Sequence, residues 1–216
     1  MKNLVLTSFE QFSKYKYNPT ISVVERVTTY LKNDNNLNIV NKILQCKYST
    51  IKNEVYDLYL HKPDIIISLG LGASRKALNL EHVAQNRYSS KSPDNEGIIF
   101  DEEPIISDGN NLYNSLDLNK LNTISNESVK SEISQNAGKF MCNANFYWNQ
   151  YKINNEKLNT KFLFIHIPFT DKYKEIEPLI KNEKLPILSE DGIVAAVKNI
   201  INELSYEKTI KESNEI

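Results

Sequence analysis

Two short, mostly apolar runs constrain the fold of this chain more than any other feature of its sequence. Ile65–Leu69 and Phe162–Ile167 are rich in β-branched and aromatic residues, and a chain-bending residue, Gly70 or Pro168, follows each run. Apolar runs of this length are typical of strands that are buried on both faces of a sheet. Because helices must cover both faces of such a sheet, the two runs favour an α/β fold.

Segments with helical spacing alternate with predicted strands along the chain. Apolar residues recur at helical intervals in residues 19–31, Thr50–His61, Leu116–Ser128, Cys142–Asn154 and Gly192–Leu204. Further strands are predicted at Lys2–Thr7, Asn38–Tyr48, Glu81–Asn86 and Val129–Ser134. The alternation predicts a single domain at residues 1–204, with a twisted, mostly parallel mixed sheet flanked by helices on both faces, and a charged tail at residues 205–216.

Charge and hydropathy exclude several classes of function. Lys and Arg number 26 against 27 Asp and Glu, so the chain has no excess positive charge for a nucleic-acid backbone or an anionic membrane. Its apolar runs are far shorter than the roughly 18 residues that span a bilayer, and Met1-Lys2-Asn3 opens no signal-peptide core. The two cysteines are not spaced as zinc ligands, so no metal site is predicted. The sequence predicts a soluble, unexported, cytoplasmic protein.

Cys142 and His166 stand out as candidates for nucleophilic chemistry. Cys142 opens a predicted helix, where the positive end of the helix dipole favours a thiolate and amide N–H groups are available to an oxyanion. His166 lies near the end of a buried strand, where loops build active sites. Glu81 supplies a carboxylate that is suited to orient an imidazole. From the residues alone, a buried core cysteine, a core histidine and a surface glutamate remain alternative interpretations. Cys46, within a predicted strand, is interpreted as a core residue.

Gly70 and Gly72 offer a second, weaker hypothesis. They follow a buried strand, as the glycines of a dinucleotide-binding turn do, but Arg75 stands where that fingerprint has its third glycine. A tight turn at the end of a central strand is the favoured interpretation.

Eight segments carry a resemblance to the pyroglutamyl peptidase I family of cysteine peptidases, from Leu4 to about Leu204. They are Ser8–Phe12, Asn18-Pro19, Lys62–Asp64, Ser68–Gly70, Glu81–Ala84 with Asn86, Pro93–Gly97, Asn136–Asn143 and Ile165–Phe169. The resemblance implies an α/β cysteine exopeptidase that removes an N-terminal pyroglutamyl residue from peptides through a thioacyl intermediate. It implies no metal or cofactor, and a homo-oligomer, often a tetramer.

The resemblance also implies roles for individual residues. Cys142 is expected to be the nucleophile, His166 the general base and then acid, and Glu81 the residue that orients His166. The family's substrate contacts fall on six positions: Phe9, Phe12, Leu71, Lys91, Phe140 and Met141. Leu71 is expected to bind the lactam through its backbone, since the family usually has Gln there.

Several positions depart from the family pattern and touch specificity more than the triad. They are Ser8, Ser13 and Lys14 in place of glycines, Gln11 in place of proline, Lys91 in place of arginine, and Ser92 in place of an apolar residue. Two alternatives therefore stay open: a thiol amidase or hydrolase with a shifted acyl preference, and a catalytically silent binding or assembly protein of the same fold.

Overall fold

A six-stranded sheet forms the centre of the computed structural model, which describes residues 1–12, 15, 17–172 and 184–206. In spatial order its strands are β2 (Leu37–Leu44), β1 (Lys2–Phe9), β3 (Ile65–Leu71), β8 (Lys161–Ile167), β4 (Leu78–Glu81) and β7 (Ser131–Ser134). Only β4 and β8 pair antiparallel among these neighbours. Two small sheets pair β5 (Val83–Ala84) with β6 (Leu112–Tyr113) and β9 (Phe169–Thr170) with β10 (Ile187–Leu188). The predicted fold class is confirmed.

Helices cover both faces of the central sheet, as the apolar strands require. The helices are α1 (Pro19–Leu31), α2 (Ile51–Leu58, continued by a 3-10 turn at Tyr59–His61), α3 (Leu118–Asn126), α4 (Met141–Glu156) and α5 (Glu190–Tyr206). Side chains of α1, α3 and α5 share one core with one face of the sheet. Side chains of α2 and α4 share a second core with the opposite face.

The strand β3 is central and buried along its whole length, as predicted. It continues through Gly70 and Leu71, and the turn begins only at Gly72, whose carbonyl accepts from the Arg75 N–H at 2.8 Å. The next element along this fully described stretch is the strand β4 rather than a helix. A dinucleotide-binding turn needs a helix N-terminus for the phosphates, so the nucleotide hypothesis is wrong on geometry.

The predicted strand at Glu81–Asn86 is wrong in its position. The chain instead forms β4, which ends at Glu81, and the two-residue strand β5. Leu78 and Leu80 are fully buried in the core of α1, α3 and α5. Because these two alternating residues are buried, the strand begins earlier than the local pattern indicates. Glu81 therefore ends a strand rather than starting one.

Other element boundaries differ by a few residues. The strand β2 ends at Leu44, four residues before the predicted end, and Cys46 after it is buried, as expected for a core residue. Helix α5 continues through Tyr206, into the predicted tail. Ser13, Lys14 and residues 207–216 lie outside the described residues.

Two negative findings concern the described ranges only. No helix in them is long and apolar enough to cross a membrane. Nor do these ranges contain a group of three or more His, Cys, Asp or Glu side chains that is arranged to hold a metal ion.

Candidate active site

The pleat of the central sheet brings His166 and Glu81 to the face that α2 and α4 cover. His166 follows Phe162 and Phe164 at two-residue intervals, and both phenylalanines belong to the core of α2 and α4. Because β4 runs antiparallel to β8, with Asn79 opposite His166, the side chains of Asn79 and Glu81 project from the same face as His166.

The carboxylate of Glu81 orients the imidazole of His166. The Nδ1 atom of His166 lies 2.8 Å from Glu81 Oε1. Both residues are buried, with 5% and 0% of their surface exposed, so the bond is shielded from water. A carboxylate accepts but does not donate, so Nδ1 carries the proton and Nε2 is left for the thiol. Glu81 therefore lies within hydrogen-bond distance of His166.

Cys142 is the second residue of α4 and lies over the strand β3. Gly70 is the β3 partner of His166 in the ladder, and a Cβ atom added to Gly70 would be 2.8 Å from Cys142 Sγ. Cys142 is close enough to the imidazole to raise the pKa of His166. The residue before the helix, Phe140, makes no side-chain cap to it, so N–H groups of the first turn remain available to a ligand.

The electrostatic environment favours the protonated imidazole. Burial alone lowers the pKa of His166, but the charge and hydrogen bond of Cys142, together with the hydrogen bond and charge of Glu81, raise it to about 9 from 6.5. An imidazolium at neutral pH stabilises a neighbouring thiolate, which is the nucleophilic form of cysteine.

Arg75 is a member of this cluster that the sequence interpretation did not include. Its Nη2 atom lies 3.2 Å from Glu81 Oε1 and 2.5 Å from the carbonyl oxygen of Asn136. In the sequence, Arg75 stands out only because it occupies the third-glycine position of a nucleotide-binding turn. Nothing in the local pattern marks it, because its partners come from other segments of the chain.

Asn143 is a second functional neighbour that local spacing does not reveal. Its Oδ1 accepts from the Gln85 N–H at 2.8 Å, and its Nδ2 donates to the carbonyl oxygens of Gln85 and Arg87 at 2.9 and 3.0 Å. These bonds fasten the residue next to Cys142 to the chain after β5. These hydrogen bonds therefore anchor the start of α4 to the segment after β5.

A cavity of about 410 Å³ lies beside the start of α4. It is lined by Phe12, Tyr15, Ser89, Ser90, Lys91, Ser92, Lys139 and Phe140. The ring centroids of Phe12 and Phe140 are 6.1 Å apart, and Phe140 precedes Cys142 by two residues. Three of the predicted substrate contacts, Phe12, Lys91 and Phe140, therefore meet at one cavity.

The other three predicted substrate contacts do not line this cavity. Phe9 and Met141 are buried in the core of α2 and α4. The ring of Phe9 packs against Phe164, which in turn packs against His166. Leu71 packs against Phe169. The side chains of these three residues are therefore packed in the interior and do not face the cavity.

A thiol at a helix N-terminus, beside an imidazole that contacts a buried carboxylate on an α/β sheet, is the arrangement of a cysteine hydrolase. Comparison with known proteins narrows this class. The sequence profile described as pyroglutamyl peptidase matches residues 1–207. The chain therefore belongs to the pyroglutamyl peptidase family, whose members are cysteine hydrolases.

Relatives and solved structures agree with this assignment. The pyrrolidone-carboxylate peptidase of Brachyspira hyodysenteriae is 33% identical over 209 residues, with 95% of this chain and all of the relative covered. The crystal structure of Bacillus amyloliquefaciens pyroglutamyl peptidase I superposes with a TM-score of 0.83 at 27% identity, covering 95% of this chain and 97% of that one. A variant of the Pyrococcus furiosus pyrrolidone carboxyl peptidase superposes with a TM-score of 0.85 at 26% identity, covering 96% and 99%.

Proposed function

We propose that this protein is a pyroglutamyl peptidase that removes the N-terminal pyroglutamyl residue from peptides. The observation that carries the proposal is the buried hydrogen bond between His166 and Glu81 beside the Cys142 thiol, in a chain of this family. Pyrrolidone-carboxylate peptidases of other organisms align with this chain along almost their whole length, at 30% and 33% identity.

Cys142 is the proposed nucleophile, and Glu81 orients His166. Because its pKa is raised to about 9, His166 starts as an imidazolium and acts first as acid and then as base. The Cys142 thiolate attacks the carbonyl carbon of the pyroglutamyl residue, and the carbonyl electrons move to the oxygen, which first-turn N–H groups of α4 stabilise. His166 gives its proton to the leaving amine nitrogen as the C–N bond breaks, which leaves a thioacyl enzyme. His166 then takes a proton from water, whose oxygen attacks the thioester. The C–S bond breaks, pyroglutamate leaves, and the thiolate and imidazolium are restored.

The cavity beside α4 is proposed to hold the neutral lactam ring. The faces of Phe12 and Phe140 suit a small, flat, uncharged ring. Lys91 is assigned to the rim, where it meets the polar groups of the substrate. Phe9 and Met141 are assigned as packing beneath the ring, and Leu71 as a backbone contact to the lactam.

Release of the reporter from a pyroglutamyl chromogenic amide under reducing conditions tests the proposal. We expect the wild-type protein to hydrolyse this amide and not the matching prolyl amide, which lacks the lactam carbonyl. Cys142→Ala should abolish the reaction, because it removes the proposed nucleophile. Cys46→Ala is the matched control and should keep full activity, since Cys46 is buried and burial, the largest cause, raises its pKa.

The outcomes separate three cases. Turnover by the Cys142→Ala variant would reject the assigned nucleophile. Turnover of a different acyl amide by the wild type would indicate a shifted specificity. A folded wild type that hydrolyses no amide and whose Cys142 does not react with iodoacetamide would indicate a silent protein of this fold.

The assembly and location of the protein also remain proposals. We expect a homo-oligomer, with a tetramer as the leading state, as the family resemblance implies. Sedimentation velocity distinguishes this state from a monomer. Two unpaired cysteines are consistent with a reducing, cytoplasmic location.

A further inference from the structure

Glu81 receives two donors on the same oxygen atom. Its Oε1 lies 2.8 Å from His166 Nδ1 and 3.2 Å from Arg75 Nη2, while its Oε2 is buried without a hydrogen-bond partner. The carboxyl group is fully buried, and a buried carboxylate is costly unless a cation and hydrogen bonds compensate it. Among the described residues, these two donors are the hydrogen-bond partners that orient the Glu81 carboxyl group.

Arg75 also holds the segment that leads to the nucleophile. Besides the 2.5 Å bond from Nη2 to the Asn136 carbonyl oxygen, its Nη1 lies 3.4 Å from Ser134 Oγ. The Asn136 side chain in turn accepts from the Gly138 N–H at 2.9 Å, shortly before α4 begins. One guanidinium thus joins the carboxylate that orients His166 to the loop that delivers Cys142.

The charges around this group alternate in sign. Arg75 faces Glu81 from the turn after β3, His166 faces it from β8, and Cys142 faces His166 from α4. The nearest further charge on β7 is Glu132, which bonds Asn79 rather than Glu81. Arg75 is therefore the cation next to Glu81 that does not take part in proton transfer.

We propose that Arg75 is a positioning residue of the active site. By donating to both Glu81 Oε1 and the Asn136 carbonyl oxygen, it keeps the imidazole and the thiol at the distance and orientation that the reaction needs. Arg75 does not line the cavity beside α4, so its effect falls on the chemical step and not on substrate binding. The expected effect on kcat rests on the proposed pyroglutamyl peptidase function. The expected effect on the hydrogen bond between Glu81 and His166 does not.

The kinetic test compares Arg75→Met with a matched ion pair elsewhere. Arg75 and Glu81 have side-chain exposures of 27% and 0%, and Arg26 and Glu190, on the opposite face of the sheet, have 25% and 1% at 3.1 Å. Both Arg→Met variants lose an ion pair to a buried glutamate. We expect Arg75→Met to lower kcat by about 10- to 100-fold at unchanged KM, and Arg26→Met to leave both unchanged.

A double-mutant cycle separates positioning from general damage. Because Arg75 acts partly through Glu81, Arg75→Met should lower kcat by a clearly smaller factor in a Glu81→Gln background than in the wild type. An equal loss in both backgrounds, or wild-type kcat for Arg75→Met, would overturn the proposal. Should Arg75→Met fail to fold, Arg75→Lys takes its place, because an ammonium does not reproduce the planar fork of arginine. Lowered kcat at unchanged KM then supports the proposal, and wild-type kcat overturns it.

A spectroscopic measurement tests the structural step without turnover. The His166 Nδ1–H that is bonded to Glu81 should give a downfield, exchange-protected proton resonance, identified by its loss in Glu81→Gln. We expect the resonance to be shifted or lost in Arg75→Met and retained in Arg26→Met. An unchanged resonance in Arg75→Met would overturn the role of Arg75 even if the wild type hydrolysed no pyroglutamyl amide, so the two proposals fail separately.

Discussion

Gly70 shows at the scale of one residue how closely the nucleophile approaches the sheet. It lies within β3 with no need for a left-handed backbone, so its value is the absence of a side chain. An added Cβ would be 2.8 Å from Cys142 Sγ and 2.8 Å from the Phe164 ring, and real Cβ atoms do not approach other atoms so closely. Phe164 packs on the ring of His166, and Cys142 raises its pKa, so a methyl group here would disturb the thiol and the imidazole together.

We expect Gly70→Ala to lower kcat/KM by about 100-fold, because the thiol is displaced from the imidazole by a fraction of an ångström to an ångström. Overpacking should also lower the free energy of unfolding by about 1–3 kcal/mol. Activity on the pyroglutamyl amide and urea unfolding measure the two effects. Gly192→Ala in α5 is the control, since its Cβ would meet the Ser128 carbonyl at 3.0 Å but lies outside the site. Wild-type activity in folded Gly70→Ala would contradict the close approach.

The raised pKa of His166 makes stability depend on pH. The folded protein holds this proton more tightly than the unfolded chain, since burial is outweighed by Cys142 and Glu81 and the pKa is raised to about 9 from 6.5. The stabilisation is therefore fully present below about pH 6.5 and is lost as the pH rises through about 9. Its size is on the order of 3 kcal/mol at most, from the free energy of one pKa unit.

Urea unfolding of the wild type and His166→Gln at pH 6 and pH 10 measures this effect. We expect the wild type to lose more stability than the variant between the two pH values, because only the wild type carries the titrating imidazole. The same deprotonation removes the acid that protonates the leaving amine, so kcat/KM should fall above about pH 9. A wild type and variant with parallel pH profiles of stability would contradict the raised pKa.

At the scale of elements, Asn18 joins the start of α1 to the end of β1. Its Oδ1 accepts from the Thr20 N–H at 3.1 Å and from the Thr20 hydroxyl at 2.8 Å, which caps the helix. Its Nδ2 donates to the carbonyl oxygens of Phe9 and Glu10 at 2.9 and 3.2 Å. One side chain therefore starts a helix and anchors the segment that leads to Phe12 in the cavity.

Asn18→Ala should lower stability by about 1–2 kcal/mol through the lost cap and also raise KM for the pyroglutamyl amide, because the loop with Phe12 loses its anchor. Asp117→Ala is the matched control: Asp117 caps α3 by accepting from the Lys120 N–H at 3.0 Å and lines no part of the cavity beside α4. It should lose stability at unchanged KM. Thermal unfolding and steady-state kinetics give both quantities, and an unchanged KM in Asn18→Ala would argue against the anchoring role.

At the scale of the whole molecule, α5 closes the core on one face of the sheet. Ile201 and Leu204, near its end, are buried with 0% and 1% exposure. The end of the helix is held by cations from two strands: Lys161 Nζ donates to the Leu204 carbonyl at 2.9 Å, and Lys2 Nζ donates to the Ser205 carbonyl. Positive charge at a helix C-terminus is stabilising, so the domain is proposed to be complete at the end of α5.

A chain that ends at Tyr206 should therefore keep the stability and activity of the full chain. A chain that ends at Ile200 should unfold, because the loss of Ile201 and Leu204 removes two buried side chains worth about 2–5 kcal/mol each. Circular dichroism melting and amide hydrolysis compare the three lengths. A large loss in the chain that ends at Tyr206 would place part of the domain in residues 207–216.

The amino-acid pattern is enough to predict most of the helices and strands and the chemical groups of the candidate site. The apolar runs of β3 and β8, the Asn18-Pro19 start of α1 and the helical spacing of α5 were predicted correctly, because burial of both faces or of one stripe leaves a local pattern. The thiol, the imidazole and the carboxylate were predicted as one triad from the resemblance, and the structure places His166 Nδ1 2.8 Å from Glu81 Oε1.

The way in which these groups come together depends on the tertiary structure and leaves no local pattern in the sequence. The reversal of β4 against β8 turns Glu81 toward His166, the register of β3 against β8 places Gly70 beneath the thiol, and the turn after β3 brings Arg75 to Glu81. Strand order, strand direction and register join residues that lie far apart along the chain, and a one-residue slip would turn each side chain to the other face. Local periodicity carries no record of these pairings, so Gly70 and Arg75 acquire their roles only in the folded chain.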